Sequence, residues 1–95
     1  MRYGVRLEMD GVTQEQYDAI HAQLAPLGAE EPGFVAHIAG PTQGGWYVTE
    51  VWNSKADWER FMQRVAPLFP PDAPRPRIVQ EFEVYSRQTK EQLIA

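Results

Sequence analysis

The segment Gly45–Trp52, with the sequence GWYVTEVW, restricts the fold of this chain more than any other feature. Its aromatic and β-branched residues are typical of a β-strand, in which successive side chains point to opposite faces of a sheet. Trp46, Val48 and Trp52 would then lie on one face, and Tyr47 and Val51 on the other. Because both faces carry large apolar groups, a stable fold must cover both sides of this strand.

Three further segments have strand patterns. Residues 2–9 and 77–86 alternate between apolar and polar side chains, as half-buried strands do. Residues 34–40 form a short apolar run bounded by Gly and Pro, which is typical of a buried strand. The Gly-rich residues 40–45 between this run and the GWYVTEVW strand predict a hairpin loop.

Two segments between these strands have helical spacing. Thr13 and Gln16 form a capping-box pair that predicts the start of a helix, which Pro26 and Gly28 would end. Ser54 is a suitable N-cap for the second helix. The apolar stripe of this second helix consists of Trp58, Phe61, Met62, Val65 and Phe69.

The predicted order is strand, helix, strand, strand, helix, strand, which is the split βαβ order of a ferredoxin-like fold. We therefore expect an α+β protein with a four-stranded antiparallel sheet and two helices on one face. Residues 1–86 would form this domain and residues 87–95 a C-terminal tail. Because two helices leave the second sheet face bare, we expect a homodimer joined sheet to sheet.

Composition excludes several classes of function. A formal charge of −4 and the absence of a basic run argue against a nucleic-acid partner. No apolar stretch is long enough to span a membrane and the first residues lack a secretory signal, so we expect a soluble, cytoplasmic protein without a membrane partner. His21 and His37 lie on different elements and cysteine is absent, which argues against a metal site.

Two segments carry a resemblance to a known family. Pro32-Gly33-Phe34 before His37, and EVWNSKADWERF from Glu50 to Phe61, resemble the dimeric α+β barrel superfamily, in particular its antibiotic-biosynthesis-monooxygenase-like group. The resemblance spans residues 1–86 and implies a dimer with a small-molecule pocket between sheet and helices. Members of the superfamily include cofactor-free monooxygenases, polyketide cyclases, lyases and haem-degrading enzymes.

The haem-degrading branch implies features that this chain lacks. Its members would place an iron-binding histidine on or after the second helix, and no histidine follows His37 here. They would also carry a tryptophan where Phe61 stands. We therefore expect no haem, and the enzyme activities that the resemblance still implies would use no cofactor.

Three residues are candidates for catalysis. His37 lies in an apolar strand and is suited to accept a proton near neutral pH, although a histidine hydrogen-bonded across the sheet or at the dimer interface is an equal alternative. Glu50 is either a base or substrate anchor, or half of a salt bridge with Arg6 or Arg60. Tyr47 could donate a hydrogen bond to a developing oxyanion.

The aromatic side chains are candidates for the walls of the pocket. The alternative is that they are core residues, since aromatic stripes more often pack inside the protein than line a pocket. The candidates for substrate binding are Tyr3, Trp46, Trp52, Trp58 and Phe61. The function that the resemblance implies is cofactor-independent oxygenation of an aromatic, polyketide or quinone-like molecule. The alternatives are a polyketide cyclase or isomerase that transfers protons, and a non-catalytic dimer that binds an apolar or aromatic ligand.

Overall fold

The structure is a computed structural model that describes residues 1–94. Ala95, the last residue of the predicted tail, lies outside this range. The elements are β1 (Arg2–Asp10), α1 (Gln14–Ala29), β2 (Phe34–Thr42), β3 (Gly45–Trp52), α2 (Lys55–Val65), a 3₁₀ turn (Ala66–Leu68), β4 (Arg77–Val84) and α3 (Lys90–Ile94). The strands form one antiparallel sheet in the order β2-β3-β1-β4. The predicted ferredoxin-like α+β fold is confirmed.

Both helix starts follow their sequence signals. The Thr13 hydroxyl accepts a hydrogen bond from the backbone N–H of Gln16, and the Gln16 side chain accepts one from the backbone N–H of Thr13. The Ser54 hydroxyl accepts from the backbone N–H of Asp57 at 3.1 Å. These contacts confirm both predicted caps and fix where each helix leaves the sheet.

The end of α1 differs from the prediction. The helix continues through Pro26 and Gly28 and ends at Ala29, one residue beyond Gly28. A proline removes one hydrogen bond to the carbonyl four residues earlier, here that of Ala22. Ala22 and Pro26 are both exposed, so water can satisfy this carbonyl and the helix persists for one more turn.

The β2–β3 hairpin is also tighter than predicted. Thr42 pairs with Gly45, so only Gln43 and Gly44 form the turn rather than all of residues 40–45. Gly44 has a φ of +92°, a conformation that glycine adopts without steric cost. Pro41 is tolerated within β2 because β2 is an edge strand.

The two faces of the sheet have different environments. On the face toward α1 and α2, Val5, Trp52 and Val65 are fully buried in a core that also contains Trp58 and Phe61. On the opposite face, Ile38 is 62% exposed, the Arg6 guanidinium lies 4.4 Å from the centre of the Tyr47 ring, and the Phe82 ring covers Gly4. Large apolar side chains therefore remain accessible on the face away from the two helices.

Candidate functional site

A cavity of about 300 Å³ lies between α1 and the sheet, and α2 borders one end of it. It is large enough for a small organic molecule. Most of its lining is aliphatic or aromatic. Thirteen of the lining residues are Leu7, Met9, Ile20, Leu24, Ala25, Gly28, Ala29, Phe34, Val48, Phe61, Met62, Phe69 and Pro76.

The other four lining residues are polar and lie together. They are Tyr17, His21, His37 and Glu50. His37 and Glu50 are direct partners in the β2–β3 ladder, so their side chains leave the sheet on the same face. Tyr17 and His21 are one helical turn apart on α1, which places both above these strands. Two strands and one helix thus bring the four groups to one wall.

Glu50 is held by two hydrogen bonds. His37 Nδ1 lies 2.8 Å from Glu50 Oε2, and the Trp52 indole N–H donates to Glu50 Oε1 at 3.0 Å. The His37 and Glu50 side chains are only 22% and 12% exposed. A carboxylate in this position fixes the orientation of the imidazole ring.

The partner expected for Glu50 from the sequence was wrong. Arg6 pairs with Glu8 at 3.2 Å on the other face of the sheet, and Arg60 pairs with Asp57 along α2. The alternation of side chains along β1 directs Arg6 away from the cavity, since its neighbours Val5 and Leu7 point into the core. His37 is the hydrogen-bond partner of Glu50 instead.

Tyr17 connects the two histidines. Its hydroxyl oxygen lies 2.7 Å from His37 Nε2 and 3.3 Å from His21 Nδ1. The Tyr17 and His21 rings stack with centroids 5.3 Å apart. Burial raises the pKa of Tyr17, and the negative charges of Glu50 and Asp18 raise it further. The phenol therefore stays neutral at physiological pH.

Three of the sequence-predicted site residues meet at the cavity. His37, Glu50 and Phe61 all line it. Trp52 lies beneath it in the core and contacts the site through its hydrogen bond to Glu50. Trp46 is not among the lining residues, but its ring stacks on Tyr17 at 5.4 Å.

The remaining three predicted residues lie elsewhere. Tyr3 and Trp58 pack against each other with ring centroids 5.7 Å apart, away from the cavity lining. The Tyr3 hydroxyl donates to Glu81 at 2.6 Å, and burial together with this bond raises the Tyr3 pKa. Tyr47 points to the opposite face of the sheet, beneath Arg6.

Sequence reasoning did not assign Tyr17 and His21 to the site. In the sequence, Tyr17, Ile20 and Leu24 recur at helical spacing and form an apolar stripe, and His21 stands beside it. The available signal was their spacing of four residues, which places both side chains on one side of the helix. Their proximity to His37 depends on how α1 crosses the sheet, and the local pattern does not encode this.

Residues 1–94 contain neither a metal-binding cluster nor a helix that could span a membrane. They contain no group of three or more His, Cys, Asp or Glu side chains arranged to hold a metal ion. No helix among them combines the length and the apolar character needed to cross a membrane.

Comparisons with known proteins identify the fold. No family model and no curated protein matches the chain. Among solved structures, SnoaB, a cofactor-independent oxygenase from Streptomyces nogalater, is 20% identical, with a TM-score of 0.60 over 94% of this chain and 95% of SnoaB. An antibiotic biosynthesis monooxygenase is 17% identical, with a TM-score of 0.59 over 90% of this chain and 100% of the other.

A third similar structure is a mutant of MhuD with two manganese protoporphyrin IX molecules per active site. It is 18% identical, with a TM-score of 0.57 over 94% of this chain and 99% of MhuD. At these identities the likeness shows the fold, which is the one shared by antibiotic-biosynthesis-monooxygenase-like proteins and the one that the resemblance implied. The chemistry must be argued from the site itself.

Proposed function

We propose that this protein is a cofactor-independent enzyme that removes a proton from an apolar aromatic, polyketide or quinone-like molecule bound in the cavity. The observation that carries this proposal is the His37–Glu50 pair, in which a carboxylate holds an imidazole on the wall of a largely apolar cavity. A base in such surroundings meets its substrate with little competing water. In this proposal the pair is the final acceptor of the proton.

Oxygenation is the reaction that fits best. Loss of a proton from an activated CH₂ group leaves a carbanion, which can give one electron to dioxygen. The two radicals then combine to a peroxide, and loss of water from the peroxide leaves a ketone. The sum is CH₂ + O₂ → C=O + H₂O, so dioxygen is the oxidant. The protein has to bind the substrate, exclude water and accept the proton.

The description of SnoaB as a cofactor-independent oxygenase supports this choice, because the two chains match over nearly their whole lengths. A cyclase or isomerase would use the same proton acceptor without dioxygen, and it is the alternative. Of the residues predicted to bind substrate, Phe61 is the one on the cavity wall. We therefore assign substrate contact to Phe61 and to the aliphatic residues around it.

Anthrone is a suitable probe, since its oxygenation to anthraquinone has the stoichiometry given above. We expect dioxygen uptake with one ¹⁸O atom from ¹⁸O₂ in the ketone. His37→Gln should lower kcat about 100-fold or more, because the final acceptor of the substrate's proton is lost. Gln23→Ala, on the exposed side of α1, is the control and should keep the wild-type rate. Wild-type turnover by His37→Gln would rule out the proposed role of the pair.

A non-catalytic accessory dimer is the second candidate function. It predicts that the protein binds an apolar fluorescent probe such as N-phenyl-1-naphthylamine but oxygenates or isomerises no substrate. Under this alternative, the His37→Gln variant would bind the probe as the wild type does, and the substitution would change no reaction rate. The accessory dimer would be favoured over the enzyme if the protein bound the probe but did not change the rate at which anthrone is consumed.

The homodimer also belongs to this proposal, as does a cytoplasmic location. Ile38, Tyr47 and Phe82 lie on the sheet face away from the helices, where a second copy could cover them. We expect a dimer in analytical ultracentrifugation at micromolar concentration. Ile38→Lys should shift the protein toward the monomer, whereas Gln23→Lys on α1 should not.

A further inference from the structure

The hydrogen bonds around His37 leave it no free nitrogen. Glu50, when ionised, can only accept, so His37 Nδ1 carries the proton in that bond. The neutral ring then has its lone pair on Nε2, and the Tyr17 hydroxyl donates to it. His37 therefore cannot contact a substrate directly unless Tyr17 moves away.

The same reasoning fixes the state of His21. The Tyr17 hydroxyl has one proton, which it gives to His37, so toward His21 its oxygen can only accept. His21 Nδ1 must then be the protonated nitrogen of a neutral ring. This leaves the lone pair on His21 Nε2, which makes no hydrogen bond within residues 1–94, while His21 itself lines the cavity.

We propose that His21 is the base that contacts the substrate, and that Tyr17 relays the proton from His21 to the His37–Glu50 pair. This inference rests on the proposed function, since it names the group through which that site receives its proton. In this relay, α1 contributes both the base, His21, and the relaying hydroxyl of Tyr17.

Each proton in the relay has a defined donor and acceptor. The substrate gives its proton to His21 Nε2, and His21 Nδ1 gives its proton to the Tyr17 oxygen. The Tyr17 hydroxyl proton moves to His37 Nε2. His37 becomes an imidazolium beside the Glu50 carboxylate, His21 is neutral in its other tautomer, and the substrate is a carbanion or enolate. Tyr17 is neutral before and after, so the relay needs no tyrosinate.

The apolar lining explains the advantage of this route. A positive charge on His21 would lie at the cavity surface with Tyr17 as its one hydrogen-bonded neighbour. A positive charge on His37 lies 2.8 Å from a carboxylate. The relay therefore places the charge where an opposite charge stabilises it, while the basic nitrogen that meets the substrate stays neutral.

The tautomers provide a test that needs no substrate. Protonated and bare imidazole nitrogens have well-separated ¹⁵N chemical shifts, so long-range ¹H–¹⁵N correlation spectra identify them. We expect both His37 and His21 as Nδ1–H tautomers in the wild type at a pH where both rings are neutral. In Tyr17→Phe, His21 should lose this preference while His37 keeps it through Glu50. An Nε2–H tautomer of His21 in the wild type would overturn the inference.

Two substitutions at His21 separate its hydrogen bond from its basicity. His21→Asn can place an amide N–H where Nδ1 stands and keep the bond to Tyr17, but it has no basic nitrogen. We expect His21→Asn and His21→Gln to lower kcat for anthrone about 100-fold or more. Both should fold as the wild type does, and Gln23→Asn on the same helix should keep full activity.

The outcomes distinguish this inference from the proposed function. Full activity of His21→Asn together with an inactive His37→Gln would overturn the relay and leave the proposed function standing. If the wild type turns over neither anthrone nor a related probe, the proposed function fails, and the relay fails with it. Tyr17→Phe should lower kcat with little change in KM, which a purely structural contact would not produce.

Discussion

The two long helices lie on the same sheet face but contribute differently to the structure. α2 buries Trp58, Phe61 and Val65 against the sheet. α1 is longer, with 16 residues against 11, yet its one buried residue is Gly28. The space between α2 and the sheet is therefore filled by a close-packed core, whereas a cavity separates α1 from the sheet.

The polar side chains follow this difference. The buried residues of the described chain include no polar or charged side chain other than the tryptophan indoles. Tyr17, His37 and Glu50 are half-buried, and His37 forms hydrogen bonds with both of the others at the cavity wall. A polar group in a close-packed core needs a partner at a fixed position, whereas at the wall of a cavity it can bond to a neighbour and still face a ligand. Incomplete packing thus leaves room for a ligand beside these polar groups.

The largest expected effect is on the α2 side. Trp58→Ala should lower the free energy of unfolding by about 3–5 kcal/mol, because it removes a large buried ring from a close-packed site. Urea unfolding followed by circular dichroism measures this loss.

The matched variant on the α1 side is Leu24→Ala. Leu24 is half-buried and already borders the cavity, so its truncation should cost only about 1 kcal/mol. If Leu24→Ala destabilised the protein as much as Trp58→Ala, the two halves would not differ in packing as described.

Enlarged side chains test the same contrast in the opposite direction. Val65→Phe should destabilise the protein by about 1–3 kcal/mol, because Val65 is fully buried and does not line the cavity. Leu24→Trp should change the free energy of unfolding by about 1 kcal/mol or less, since the indole can occupy the cavity.

Ligand binding distinguishes these variants further. Leu24→Trp should lose binding of N-phenyl-1-naphthylamine, measured by fluorescence titration, because the cavity is filled. Ile38→Thr, on the open sheet face, is the control and should keep it. Retained binding in Leu24→Trp would mean that the probe binds elsewhere.

The sequence predicts the α2 half better than the α1 half for a physical reason. The buried residues of α2, Trp58, Phe61 and Val65, recur at helical spacing. When a helix packs directly on a sheet, this spacing is enough to predict which of its residues are buried. In α1, Tyr17 and Ile20 have the same spacing, but the period does not say how far the helix stands from the sheet. That distance depends on side chains of other elements, so the cavity is not encoded locally.

The site was predicted in part for the same reason. His37 and Glu50 were identified because a polar residue in an apolar strand needs a partner. Their pairing with each other required the β2–β3 register, which the tight turn at Gly44 sets. Tyr47 was expected at the site, and the alternation along β3 directs it to the other face.

The smallest expected effect is on stability at high pH. Burial and nearby carboxylates raise the pKa of Tyr17 above its ordinary value of 10.0, so the folded protein holds this proton more tightly than the unfolded chain. The stabilisation is complete below pH 10 and is lost as the pH rises through the folded pKa. The contribution of Tyr17 to the fall in the free energy of unfolding is less than about 1.4 kcal/mol per pH unit, the limit for a single titrating group.

Tyr3 has the same sign on the α2 side, since burial and Glu81 raise its pKa as well. Urea unfolding between pH 9 and pH 11 should therefore show a fall in the free energy of unfolding that is shallower in Tyr17→Phe and in Tyr3→Phe. Tyr85 is 89% exposed, so Tyr85→Phe should follow the wild type throughout. Equal slopes in the wild type and the three variants would mean that Tyr17 and Tyr3 have the same pKa values in the folded protein as in the unfolded chain. This result would contradict the burial of the Tyr17 side chain between α1 and the sheet.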